Sequence, residues 1–153
     1  RTLGLVLIGA PLSLRGKSGV ADLLQTVSQL SDPIDPDFVR AFVRGAVHRS
    51  VPGVFLDTMV QECLAVPAHV WREAFPALLD FDLVSELREI VAPTLLVWGD
   101  QDTIVPRSEQ EALVRAIPDA SLVVYEGTGH TPHWEEPLRL ARDLGAFVES
   151  LPT

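Results

Sequence analysis

Three short apolar runs constrain the fold of this chain more than any other feature. Each is five or six residues long, does not alternate with polar residues, and ends in turn-forming residues; they are Leu3–Ile8, Thr94–Trp98 and Ser121–Tyr125. Uninterrupted runs of this length are typical of strands buried on both faces, as in parallel sheets. The runs therefore predict an α/β fold built on three parallel strands with flanking helices.

The segment between the first two runs, residues 11–87, has a helical pattern and no strand signal. Apolar residues recur there at three- and four-residue spacing, which predicts four helices. Asp35 can cap the second helix with Pro36 at its first position, and Pro76 is expected to kink or end the fourth. The chain is therefore expected to divide into a strand-bearing part, residues 1–10 and 88–153, and an inserted helical block.

Two further helices are expected in the strand-bearing part. Ser108 and Glu111 have the spacing of a capping box, which predicts a helix through Ile117 between the last two strands. A final helix is predicted with Glu135 and Glu136 in its first turn, where the helix dipole favours acidic side chains.

The loops after the second and third strands carry ionisable side chains suited to acid–base chemistry. Asp102, with Asp100 as its competitor, follows the second strand, and His130 follows the third. In a right-handed strand–helix–strand unit both loops leave the same edge of a parallel sheet. A carboxylate and an imidazole are therefore expected side by side, as in the acid and base of a catalytic triad. His133 is expected to be structural and to pack beside Trp134.

Three segments resemble the C-terminal half of an α/β-hydrolase: Val6–Pro11, Pro93–Pro106 and Gly129–Pro137. The resemblance implies a partial α/β-hydrolase fold in which Asp102 is the triad acid and His130 is the general base. It also implies that residues 11–87 form the helical cap (lid) of that family. Apolar cap side chains often form part of the wall of a substrate site, and the candidates are Trp71, Phe42 and Met59.

The nucleophile is missing from this pattern. A nucleophile elbow requires Gly-x-Ser-x-Gly, or an Asp or Cys variant, between a strand and a helix, and no such segment is present. Gly16-Lys17-Ser18-Gly19 comes nearest, but Val20 stands where the second glycine belongs. We therefore expect the nucleophile and the oxyanion-hole loop to lie N-terminal to Arg1. The chain is then a fragment that is inactive alone.

A phosphate-binding loop is also a poor interpretation of Gly16-Lys17-Ser18. That motif requires a glycine where this chain has Pro11, and six residues rather than four separate Gly9 from Gly16. A nucleotide-binding module would have to show ATP binding that depends on Lys17.

Composition argues against several other classes of function. The 12 Lys and Arg residues against 21 acids give a net charge of −9, so no basic face for nucleic acid is expected. No run of eighteen apolar residues predicts a membrane span. Cys63 is the single cysteine and cannot form an intrachain disulfide. With no signal-like N-terminus in the sequence, a cytoplasmic location is expected. The histidines lack a ligand cluster, so neither a metal nor a cofactor is expected.

The favoured function is hydrolysis of a small-molecule ester, thioester or lactone, with carbon–carbon hydrolysis left open. The alternative is a non-catalytic α/β-hydrolase-like protein that binds a ligand or a partner. Because an exposed apolar strand recruits partners, we expect Leu3–Ile8 to pair with the N-terminal half of the same hydrolase or with a second copy.

Overall fold

The computed structural model describes residues 2–17, 19–80 and 84–152. Within these residues three strands form one parallel sheet, in which β2 pairs with both of its neighbours. The strands are β1 (Leu5–Ile8), β2 (Thr94–Gly99) and β3 (Ala120–Tyr125). The predicted parallel three-stranded sheet is confirmed, with β1 two residues shorter at its start than the apolar run.

The helices follow the predicted order along the chain. A short 3-10 helix, Leu87–Glu89, precedes β2. The described α-helices are α1 (Val20–Ser28), α2 (Pro36–Gly45), α3 (Gly53–Leu64), α4 (Ala68–Asp80), α5 (Arg107–Ala116), α6 (Pro132–Glu135) and α7 (Pro137–Ser150). Asp35 caps α2 as predicted, because its Oδ1 accepts the backbone N–H of Asp37 at 2.9 Å.

The structure excludes one of the two effects predicted for Pro76 and corrects the predicted start of helix α5. Pro76 lies inside α4 and does not end it, because the helix continues to Asp80. The capping box at Ser108 is wrong: Pro106, with an extended backbone, occupies the N-cap position, so Ser108 lies within the first turn of α5. Glu111 instead accepts a hydrogen bond from Arg107 Nε at 2.9 Å.

The predicted final helix is split into α6 and α7. Pro137 is the first residue of α7, and Glu136 before it has φ −133° and ψ 52°, outside the helical region. A proline disfavours the helical conformation of the residue that precedes it. The prediction that Glu135 and Glu136 lie in the first turn of one helix is therefore wrong, since they stand at the junction of two.

The sheet is covered on both faces, which explains the uninterrupted apolar sequence of β2. All six β2 residues are buried. On one face Leu96 packs with Leu87, Leu113 and Ile117, and thus with α5. On the other face Leu95 and Val97 pack with Tyr125 and with Leu140 of α7. Successive side chains of a strand point to opposite faces, so both clusters share the same strand.

Contacts between residues divide the chain into two compact units. The first contains Arg1–Leu12, Ala46–Ser50 and Leu83–Thr153, and therefore the whole sheet. The second contains Ser13–Gly45 and Val51–Asp82, and therefore α1 to α4. The division at residues 10/11 and 87/88 stays a prediction. In the described part of the chain, no helix has the length and apolar character that crossing a bilayer requires.

Candidate active site

Asp102 lies in the loop that follows β2 and is held there by backbone hydrogen bonds. Its own N–H donates to the carbonyl of Gly99 at 3.1 Å, which closes the turn at the end of the strand. Its Oδ1 accepts the N–H groups of Ile104 at 2.8 Å and Val105 at 2.9 Å. The side chain has no exposed surface. These donors fix the direction of the carboxylate and leave Oδ2 available for a further partner.

That partner is His130, in the loop that follows β3. Its Nδ1 lies 2.9 Å from Asp102 Oδ2, and the side chain keeps 27% of its surface exposed. A hydrogen on Nδ1 that is donated to the carboxylate leaves Nε2 as a proton acceptor. The structure thus brings the predicted acid and base together at the carboxyl ends of neighbouring strands.

Gly99 makes this arrangement of the two loops possible. A Cβ at this position would lie 2.1 Å from the Thr128 carbonyl oxygen and 2.2 Å from that of Gly129. The N–H of Gln101 also donates to the Thr128 carbonyl at 3.0 Å. The loop that carries His130 therefore crosses directly over the end of β2, where only glycine leaves enough room.

Asp100, the competing acid, has a different set of partners. Its Oδ1 accepts the N–H of Gly127 at 2.6 Å and Gln101 Nε2 at 3.2 Å, and its own N–H donates to the Tyr125 carbonyl at 3.1 Å. Asp100 therefore ties the two loops together, and it is Asp102 that contacts the histidine.

His133 lies on α6, and its ring packs edge-on against Trp134 with the centroids 5.5 Å apart, as expected. Burial lowers the pKa of His133, and the neighbouring imidazole of His130 lowers that pKa further. A neutral ring is consistent with the packing role predicted for this residue.

The predicted substrate-binding residues all lie in the second unit. Phe42 on α2 and Trp71 on α4 meet edge-to-face with centroids 5.2 Å apart, and Phe75 stacks on Trp71 at 5.9 Å. Trp71 is buried, and its indole N–H has no hydrogen-bond partner among the described residues. Met59 is half-buried on α3. Ser18, the rejected nucleophile candidate, lies outside the described residues.

Arg49 and Glu135 are part of the site, and the sequence did not indicate them. The two carboxylate oxygens of Glu135 accept the N–H groups of Gly129 at 2.8 Å and Arg49 at 2.6 Å. Arg49 and Glu135 are 86 positions apart, and Ala46–Ser50 looked like part of the helical block. Neither a motif nor a periodicity could have linked them.

A cavity of about 570 Å³ lies elsewhere, at the amino ends of β1 and β2. Its lining includes Leu3, Leu5 and Pro93. It is therefore at the opposite end of the strands from His130. Among the described residues, no three or more His, Cys, Asp or Glu side chains form a group that could hold a metal. The expectation that no cofactor is needed stays a prediction.

The sequence is similar to that of known hydrolases. A sequence profile described as "alpha/beta hydrolase fold" matches residues 8–137. A 2-hydroxy-6-oxononadienedioate/2-hydroxy-6-oxononatrienedioate hydrolase of Pseudomonas putida is 40% identical over 92 residues, which are 58% of this chain and 29% of that protein. Monoacylglycerol lipase abhd6-A of Xenopus laevis is 32% identical over 115 residues, which are 72% of this chain and 33% of that protein.

Solved structures give the same picture of the fold. An esterase (EaEST) from Exiguobacterium antarcticum superposes with a TM-score of 0.84 at 23% identity, over 97% of this chain and 57% of the esterase. The chain thus spans about a third of the two curated relatives and somewhat more than half of the esterase. The superposition shows the fold, and the profile match over residues 8–137 establishes that the chain belongs to the α/β-hydrolase fold family.

Proposed function

We propose that this chain supplies the acid, Asp102, and the general base, His130, of a hydrolase whose nucleophile lies outside these 153 residues. The observation that carries the proposal is the 2.9 Å hydrogen bond between Asp102 Oδ2 and His130 Nδ1 at the strand ends. The absence of a Gly-x-Ser-x-Gly segment from the sequence supports an external nucleophile. The length of the relatives also supports an external nucleophile, because this chain matches only about a third of each of them.

The favoured reaction is acyl transfer to water through a serine ester. His130 Nε2 takes the proton of the serine hydroxyl as the oxygen attacks the substrate carbonyl, and then donates it to the departing alcohol. In the second half, the same nitrogen takes a proton from water as the water oxygen attacks the acyl-enzyme carbonyl. It then returns that proton to the serine oxygen as the bond to serine breaks and the acid is released. The buried carboxylate of Asp102 keeps the hydrogen on Nδ1 and stabilises the imidazolium formed in each half.

The favoured substrate class is a carboxylic ester, thioester or lactone. The names of the Xenopus laevis lipase and the Exiguobacterium antarcticum esterase support ester cleavage. We propose that residues 11–87 form a cap in which Phe42, Met59 and Trp71 contact the apolar part of the substrate. The aromatic packing of Phe42 and Trp71 within the helical unit is the basis for this assignment. The cytoplasmic location stays a prediction.

We further propose that the open edge of β1 pairs with a strand of the nucleophile-bearing segment. In the described sheet β1 pairs with β2 on one side only, and its residues Leu5–Ile8 are only partly buried. Mixing the chain with a separately expressed nucleophile-bearing half should give a one-to-one complex in multi-angle light scattering. If the chain instead forms a dimer with itself and does not bind the nucleophile-bearing half, pairing with a second copy is favoured.

The enzyme proposal is tested by combining the chain with the nucleophile-bearing half and measuring hydrolysis of an aryl ester. Replacing the general base, His130→Ala, should lower kcat by about 10⁴- to 10⁶-fold. The matched control is His69→Ala, because His69 is exposed on α4, and it should leave kcat unchanged. If His130→Ala retains full turnover, the catalytic assignment is wrong. A combined protein that binds the ester without cleaving it would favour the ligand-binding alternative.

A further inference from the structure

We infer that Arg49 and Glu135 are positioning residues that hold the His130 loop in the geometry required for the bond to Asp102. This inference rests on the proposed function for its catalytic meaning. The effect of these residues on the Asp102–His130 hydrogen bond can be measured without any hydrolysis.

Glu135 anchors the residue immediately before the histidine. One of its oxygens accepts the N–H of Gly129 at 2.8 Å, and the other accepts the N–H of Arg49 at 2.6 Å. Both donors are backbone groups, so the carboxylate bridges two chain segments that are distant in sequence. A carboxylate has two acceptor oxygens and suits this task, whereas an amide has only one.

Arg49 anchors the start of the same loop with its side chain. Its Nε donates to the Gly127 carbonyl at 2.9 Å and its Nη2 to the Glu126 carbonyl at 2.7 Å. The third nitrogen, Nη1, pairs with the Glu136 carboxylate. The planar guanidinium can present these donors in a fixed fork, which a lysine ammonium cannot reproduce.

The segment Ala46–Ser50 also touches the residues on each side of His130. Thr131 Oγ1 donates to the Ala46 carbonyl at 3.1 Å. A Cβ at Gly129 would lie 2.7 Å from the backbone nitrogen of His48, so the two backbones are in direct contact. The loop from Glu126 to Thr131 is therefore fixed at its start, just before the histidine and just after it. His130 itself makes no contact in this network, so the network can act only through the loop.

The Arg49–Glu136 ion pair by itself is expected to contribute little to the free energy of unfolding. Arg49 and Glu136 keep 44% and 29% of their side-chain surface exposed, and exposed ion pairs add little to stability. The Asp102–His130 bond, in contrast, depends on loop position, because Asp102 is fixed from its own side by two backbone donors. A shift of the His130 loop therefore lengthens this bond directly.

The test uses the 153-residue chain labelled with ¹⁵N-histidine. We expect the proton that His130 Nδ1 donates to Asp102 to give a downfield signal, which His130→Ala assigns by its loss. We expect Glu135→Ala and Arg49→Ala to increase solvent exchange of that proton by roughly tenfold, the equivalent of one lost hydrogen bond to a charged group. The matched control is Arg107→Ala, which removes the exposed ion pair with Glu111 on α5 and should leave the signal unchanged.

Conservative variants keep the test decisive if an alanine variant fails to fold. Glu135→Gln leaves one of two backbone N–H groups facing an amide NH₂, and Arg49→Lys keeps the charge but loses the fork. Both should give exchange rates between wild type and the alanine variants. Unchanged exchange in all folded variants, or an equal change in Arg107→Ala, would overturn the inference.

Kinetics of the combined hydrolase distinguish this inference from the proposed function. Loss of positioning should lower kcat for the aryl ester and leave KM near the wild-type value. If the wild-type protein has no hydrolase activity but the exchange result holds, the proposed function fails and the positioning role stands. If activity depends on His130 but the proton exchange rate is unchanged in the Arg49 and Glu135 variants, the positioning role is wrong and the proposed function still stands.

Discussion

Asp102 Oδ2 and His130 Nδ1 lie 2.9 Å apart although 28 positions separate the residues. In the combined hydrolase, Asp102→Asn should lower kcat for an aryl ester by about 10⁴-fold, the size of effect known for serine triads. The physical reason is the tautomer: an amide NH₂ facing Nδ1 moves the ring hydrogen to Nε2, which can then no longer accept a proton. A KM near the wild-type value would show that binding is intact, and a kcat near the wild-type value would contradict the role of Asp102.

Asp100 should behave differently from Asp102. Because its Oδ1 accepts the Gly127 N–H at 2.6 Å, Asp100→Asn keeps an acceptor in place and should leave kcat within a few-fold of wild type. Asp100→Ala removes the acceptor and should lower the free energy of unfolding by about 1–2 kcal/mol, measured by urea titration. A loss of turnover in Asp100→Asn as large as that in Asp102→Asn would reverse the assignment of the acid.

Gly99 and Gly145 should respond oppositely to alanine. Gly99→Ala places a methyl group 2.1 Å from the Thr128 carbonyl oxygen, and should lower the free energy of unfolding by about 1–3 kcal/mol or more. Gly145 lies in the middle of α7 on its solvent-exposed side, with no atom within 4 Å of an added Cβ. Gly145→Ala should therefore raise the free energy of unfolding by about 0.5–1 kcal/mol. Urea titration of both variants checks the pair, and a neutral Gly99→Ala would contradict the close approach.

His133 should make stability depend on pH. Burial, assisted by the nearby His130, lowers the pKa of His133 below its ordinary value near 6.5, so the unfolded chain takes up the proton first. The free energy of unfolding should therefore fall as the pH drops below about 6.5 and level off below the folded pKa. Because His133 is an exposed residue, solvent screening should keep this loss small.

The measurement compares urea unfolding of wild type and His133→Gln at about pH 8 and about pH 5.5. The variant should lose less stability between the two pH values, because glutamine does not titrate. An identical loss in both proteins would show that His133 does not contribute.

Most of the element order could be predicted from local signals. The apolar runs identified β1, β2 and β3, and the three- and four-residue spacing identified the helices between them. Where one local rule competed with another, the prediction failed. Pro106 replaced Ser108 at the start of α5, and Pro137 divided one predicted helix into two. In both places a proline fixed the backbone more strongly than the polar side chains could.

The sequence by itself determined that an acid and a histidine follow two strands at the same edge of a parallel sheet, since apolar runs are local signals and the handedness of a strand–helix–strand unit is fixed. The family resemblance already favoured Asp102 over Asp100, but only the tertiary structure shows how the two acids differ. Asp100 and Asp102 are two positions apart, and their separation into a loop tie and a histidine partner depends on where the backbone of Gly127 and the ring of His130 come to lie. The link between Arg49 and Glu135 was likewise decided by packing, because hydrogen bonds between distant segments leave no periodic trace in a sequence.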